Sequence, residues 1–76
     1  MAQELTYGEK AVGLTFNPGG NEAVTAMKQR YARAIDELND MRARASSPEH
    51  ARLCSDAITE AQTAQMWAVK ALTWSD

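Results

Sequence analysis

Cysteine is nearly missing from these 76 residues. The single thiol, Cys54, excludes an internal disulfide. With one histidine beside it, His50, it is too little for a thiolate zinc site. Long hydrophobic runs are absent too: none approaches the roughly 18 apolar residues that cross a bilayer. The opening Met1-Ala2-Gln3-Glu4 has no signal-peptide pattern. A soluble protein in a reducing compartment, with no membrane partner, is therefore expected. Neither charge sign dominates. Eight Lys and Arg against ten Asp and Glu leave a net −2, which argues against bulk binding of DNA. Only two prolines and four glycines interrupt a chain that is 45% hydrophobic, so wholesale disorder is not expected. Length is the last shortage. So short a chain makes one domain with a thin core, and such domains need a staple. With disulfide and metal set aside, oligomerisation is the expected staple.

What is present divides into three segments of a single domain over residues 1–76. Residues 1–20 form an irregular N-terminal segment. Gly8 weakens a short helix within residues 3–12, and Gly13-Leu14-Thr15-Phe16-Asn17-Pro18-Gly19-Gly20 should turn sharply. Residues 21–45 read as a first long helix. Asn21 is its N-cap, Glu22 suits the first turn, and Arg42 and Arg44 complement the dipole at the end. Val24, Met27, Tyr31, Ala34, Ile35, Leu38 and Met41 recur at steps of three and four, one continuous apolar stripe. After Ala45-Ser46, Ser47 caps a second long helix over residues 47–74, with Pro48 at its first position. The short link implies an antiparallel hairpin. The second helix presents a seam of mostly small residues: Ala51, Cys54, Ile58, Ala61, Gln65, Ala68 and Leu72. A neighbouring stripe carries Leu53, Ala57, Ala64, Trp67, Ala71 and Trp74. One partner helix cannot cover both, so the fold expected is all-α: a helical hairpin assembling into a compact homo-oligomeric bundle.

The catalytic inventory is thin. His50 and Cys54 sit four apart, a spacing that could activate a thiol, but Cys54 lies on the apolar seam, where a buried structural cysteine is the usual finding. Asp36, Glu37 and Asp40 cluster on the first helix, yet Arg33 and Arg44 lie within a turn, so intrahelical ion pairs are expected rather than a metal. No phosphate-loop lysine or dinucleotide-binding glycine pattern occurs. Trp67 and Trp74 read as core or subunit interface. The glycine-rich turn has a second reading. Phe16-Asn17-Pro18-Gly19-Gly20-Asn21 leads into a helix N-terminus that can hold an anion, and Phe16 could stack on a base. Lys10 precedes the turn and Lys28 follows it. The plainer reading is a tight capped connection in which Phe16 staples the helix start. No enzyme, metal or cofactor is indicated.

Two stretches carry a resemblance. Gly8-Glu9-Lys10-Ala11-Val12-Gly13-Leu14-Thr15-Phe16-Asn17-Pro18-Gly19-Gly20-Asn21 and Met66-Trp67-Ala68-Val69-Lys70-Ala71-Leu72-Thr73-Trp74 resemble the small phage hairpin proteins that sequester cyclic-nucleotide signals, the anti-CBASS and anti-Thoeris sponges. The resemblance spans nearly the whole chain. It implies compact oligomers, commonly hexamers, acting in the cytoplasm of the infected bacterium. These bind cyclic oligonucleotides or cyclic ADP-ribose isomers between protomers without cleaving them. Some members hold a cyclic dinucleotide through a Tyr and a Lys of an N-terminal extension, which is not expected here. A second type of pocket in such proteins matches Thr6, Tyr7, Gly8 and Arg52, and favours a cyclic trinucleotide. Arg52 would clamp phosphate; Thr6 and Tyr7 would contact base or sugar. Lys10, Phe16, Asn17 and Lys28 complete the candidate ligand-binding set. The competing expectation is a structural or protein-binding hairpin with no nucleotide ligand.

Overall fold

The computed structural model describes residues 4–76. Met1, Ala2 and Gln3 lie outside it, and with them the first residue of the short helix expected over residues 3–12. Three helices follow in order: α1 (Tyr7–Ala11), α2 (Glu22–Ala43) and α3 (Pro48–Leu72). No strand occurs among the described residues.

Each helix begins on a side-chain cap. Thr6 opens α1 with a reciprocal capping box: its Oγ1 accepts from Glu9 N–H at 3.1 Å, and Glu9 Oε1 accepts from Thr6 N–H at 2.9 Å. Asn21 caps α2 by accepting from Ala23 and Val24 N–H. Ser47 caps α3, with Pro48 at its start. Each cap satisfies donors that a helix end leaves without a partner. The helix α1 closes in a Schellman motif: Gly13 N–H donates to Lys10 O and Leu14 N–H to Glu9 O, with Gly13 at φ 61°. Glycine occupies that left-handed position without steric cost. The turn through Asn17-Pro18-Gly19-Gly20 is closed by Gly20 N–H donating to Asn17 O at 3.0 Å. At the far end α3 stops at Leu72, so Trp74 lies beyond it rather than in its last turn; Thr73 is the C-cap.

The N-terminal segment runs back along α2. Tyr7 stands beside Arg42, Gly8 beside Asp36 and Ala32, and Phe16 beside Lys28. Gly8 makes this possible. It is buried, and a Cβ there would sit 2.1 Å from the Ala32 carbonyl oxygen. Its N–H donates to Asp36 Oδ1 at 2.7 Å. The residue that weakens α1 as an isolated helix is what lets α1 touch the backbone of α2. Asp36 is thereby committed to α1. The intrahelical ion pairs expected for Asp36, Glu37 and Asp40 with Arg33 and Arg44 do not form; the ion pairs among the described residues are those of Arg52.

Val12, Ala32, Ile35 and Ile58 form the central core, one or two residues from each helix or its cap, with Leu14, Tyr31, Leu38 and Ala61 packed around it. Cys54 is buried on the same seam of α3. The molecule is a slab of 45 × 38 × 12 Å, and its thin dimension is about that of one helix with its side chains. So thin a body cannot cover the second stripe of α3. Leu53, Met66 and Trp67 remain in solvent, as does Trp74 beyond the helix.

Gly8→Ala is expected to lower unfolding free energy by about 2 kcal/mol or more, because backbone rather than a flexible side chain blocks the methyl group. Gly13→Ala meets only the backbone penalty of a left-handed residue, about 1 kcal/mol. Urea unfolding at fixed protein concentration ranks the two.

Candidate functional site

The turn that follows α1 is fastened from below by a lysine. Lys28 is 6% exposed. Its stem passes under the turn, and Nζ donates to Gly13 O at 3.0 Å and to Phe16 O at 2.6 Å. Among the described residues no carboxylate lies within ion-pair distance of it. A buried amine whose partners are carbonyls is held by dipoles rather than by an opposite charge. Asn17 is fixed as well: its Nδ2 donates to Asn21 O at 2.8 Å and to Thr25 Oγ1 at 2.7 Å. These bonds pin the turn to the first coil of α2.

Phe16 is the exception. It is 73% exposed and does not staple the start of α2. Its ring centroid lies 5.8 Å from Lys28 Nζ, within cation–π range. Beside it a cleft of about 420 Å³ opens between the turn, the start of α2 and the end of α3, with Val24, Val69 and Thr73 on its walls. A second hollow, about 580 Å³, borders Phe16 and Lys28 from the side of Lys10, Gln65 and Met66. Phe16 and Lys28 border both hollows, while Asn17 lines the first and Lys10 the second. The anion site envisaged at the N-terminus of α2 is already occupied in part, since Asn21 takes the N–H groups of Ala23 and Val24. Positive charge near the cleft comes from side chains instead.

Thr6, Tyr7 and Gly8 gather at the other end of α1. Thr6 is engaged in its capping box and Gly8 in its contact with α2. Tyr7 is 44% exposed and lies against the Arg42 guanidinium, 5.6 Å from centroid to Cζ. Arg42 reaches across to α3, donating to Ser55 Oγ at 2.9 Å, and along α2 to Asn39 Oδ1 at 2.8 Å. Arg42 and Ser55 are the residues that helical spacing could not single out, because their contact joins different helices.

Arg52 lies on the exposed surface of α3 between two carboxylates. It bonds Glu49 through Nε at 2.9 Å and Nη2 at 2.6 Å, and Asp56 through Nη1 at 2.6 Å. The Arg52 guanidinium holds the Glu49 carboxyl below its ordinary value. Arg52 is in turn raised, first by Glu49 and then by Asp56. A depressed carboxylate pairs above its unfolded value and lets go as pH falls through the folded one. The Glu49 pair is therefore intact at neutral pH. His50 is half-buried, and its Nδ1 accepts from Ser46 N–H at 3.1 Å. Among the described residues no group of His, Cys, Asp and Glu is assembled for a metal, and no helix is long and apolar enough to cross a membrane.

Over residues 9–73 the chain matches the family described as Acb2/Tad1, hairpin domain. The chain belongs to the Acb2/Tad1 hairpin family. At the level of the family, this means phage anti-defence proteins that sequester cyclic nucleotides. The matched stretch takes in most of α1, the turn with Phe16 and Lys28, and all of the α2–α3 hairpin. No curated protein and no solved structure matches the chain significantly.

Within this member of the Acb2/Tad1 hairpin family, Lys28→Met is expected to cost about 2 kcal/mol of stability, the loss of charge-assisted bonds to two carbonyls. Amide exchange at Phe16 and Gly13 should accelerate more than exchange at Ile35, localising the effect to the turn.

Proposed function

We infer that this protein is a non-catalytic phage anti-defence protein that captures cyclic oligonucleotide messengers inside the infected bacterium, so that the host effector they activate is not triggered. The observation that carries this reading is the family match across residues 9–73. The local chemistry agrees with it. An exposed Phe16 beside an open cleft offers a face for a base, and the carbonyl-held ammonium of Lys28 beneath it attracts phosphate. Asn17 and Lys10 border the same turn.

The working assembly is a homo-oligomer, with a hexamer expected. Support comes from the slab-like protomer and from the apolar side chains it leaves in water on α3, with Trp67 64% exposed. Large apolar patches on a small domain are covered by partners, and closed symmetry covers them with copies of the same chain.

A cyclic trinucleotide is the favoured ligand; a cyclic dinucleotide or a cyclic ADP-ribose isomer is the alternative. Each phosphate of a cyclic trinucleotide carries one negative charge, and symmetry would supply one Arg52 per phosphate. Arg52 would exchange its bonds to Glu49 and Asp56 for a forked bond to phosphate, with Thr6 and Tyr7 on base or sugar. Gly8 serves by bringing α1 close to α2.

Native mass spectrometry against cyclic di- and trinucleotides and cyclic ADP-ribose isomers reads subunit number and ligand together. The expected result is an oligomer that retains intact cyclic trinucleotide. At a hundredfold excess over the dissociation constant, ligand should raise the melting temperature by at least about 5 °C. Arg52→Ala is expected to keep the oligomer and weaken binding. A monomer that ignores every cyclic nucleotide would instead point to a protein-docking hairpin.

A further inference from the structure

We propose that Arg42 is a phosphate-binding residue at the Tyr7 end of α1, and that it offers its charge there before Arg52 does. The inference rests on reading the chain as a cyclic-nucleotide-binding protein and assigns a new residue to that role. Among the arginines at this end of the molecule, Arg42 and Arg52 differ in what already holds them. Arg52 is bonded to the carboxylates of Glu49 and Asp56, so an arriving phosphate must displace two negative groups. The partners of Arg42 are all neutral: the Ser55 hydroxyl, the Asn39 side-chain oxygen and the Tyr7 ring. Among the described residues no carboxylate reaches it, and no ion pair holds it.

Its orientation is fixed as well. One N–H on each terminal nitrogen is used, at 2.9 and 2.8 Å, and the ring of Tyr7 lies against the guanidinium. A guanidinium carries five N–H donors. The bonds to Ser55 and Asn39 leave three for a ligand, on a group that is only half-buried. A side chain anchored from α1, α2 and α3 together loses little rotamer freedom when an anion docks, and that is the condition under which a charge-assisted fork binds well. Arg52 stands one turn before Ser55 on α3, on the same side of the helix. A phosphate first held by Arg42 is thus delivered near Arg52.

The test uses the intact protein and two probes, cyclic tri-AMP and inorganic pyrophosphate. Calorimetry compares wild type, Arg42→Gln and Arg52→Gln, while nitrogen-15 NMR follows the Arg42 Nε–H signal of the wild type. Arg42→Gln should weaken cyclic tri-AMP about tenfold or more. Arg42→Lys should recover only part of that, since lysine lacks the fork. The Nε–H signal should move on titration with either probe. Binding by Arg42→Gln within twofold of wild type overturns the proposal and leaves the broader function standing. If that variant misfolds, the wild-type Nε–H signal decides, and an unmoved signal at saturating cyclic tri-AMP overturns it. If the wild type binds no cyclic nucleotide, the functional reading fails. Pyrophosphate then judges Arg42 alone: a shifted signal supports its anion site and a static one rejects it.

Discussion

The fold depends on one close approach, the backbone of α1 against the backbone of α2 at Gly8 and Ala32. A helix of five residues has no stability of its own. It persists because it is capped at both ends and because nothing stands between it and the longer helix. From that contact the rest of the N-terminal segment takes its register. Val12 reaches the centre, where it meets Ile35 and Ile58, and the chain then turns above Lys28. At the other end Tyr7 is set beside Arg42. Both candidate ligand regions descend from the same missing side chain.

Hydrophobic burial and polar bonding divide the work unevenly in this protein. The buried apolar set is small, Val12, Val24, Ala32, Ile35, Cys54 and Ile58. Around it, polar groups tie elements that the core does not reach: Lys28 to the turn, Asn17 to Thr25, Arg42 to Ser55, and Asp36 to Gly8. Each of these bonds joins residues distant in the chain or fixes a loop to a helix. Such bonds contribute modestly to net stability but are costly to leave half-made, so they specify one arrangement. Of these groups Lys28 and Asn17 also line the cleft beside Phe16, so a chain with net charge −2 sets a buried lysine at that wall.

What was legible in the sequence was local and periodic. Asn21 and Ser47 announce their helices because capping is a property of a few adjacent residues, and the small-residue seam from Ala51 to Gln65 follows from helical period alone. Gly13 carries a readable signal too, as a glycine just past a short helix. The pairs Glu49–Arg52 and Arg52–Asp56 stand at helical spacings of three and four, so a reading of charge pattern alone could have found Arg52 already engaged. Other features had no local signal. Lys28 looks like a surface residue, and its burial depends on carbonyls twelve and fifteen positions earlier in the chain. Asp36 stands among nearby arginines in the sequence and is claimed instead by a backbone amide of α1. Trp67 and Trp74 belong to no core in a single protomer. The family resemblance supplied what periodicity could not, since a stretch of turn and a stretch of helix far apart in the chain carry it jointly.

The stitching of the Gly13–Gly20 loop has a consequence for speed. Its bonds are all internal: the Schellman closure of α1, the Asn17–Gly20 turn, and the amine beneath. None waits for a visitor. On the proposed reading, in which this loop meets the ligand, the receptor is set before its target arrives, so no folding step stands between collision and capture and little ordering entropy is surrendered on contact. For a trap competing with a host receptor over a scarce signal, readiness at first encounter matters as much as grip.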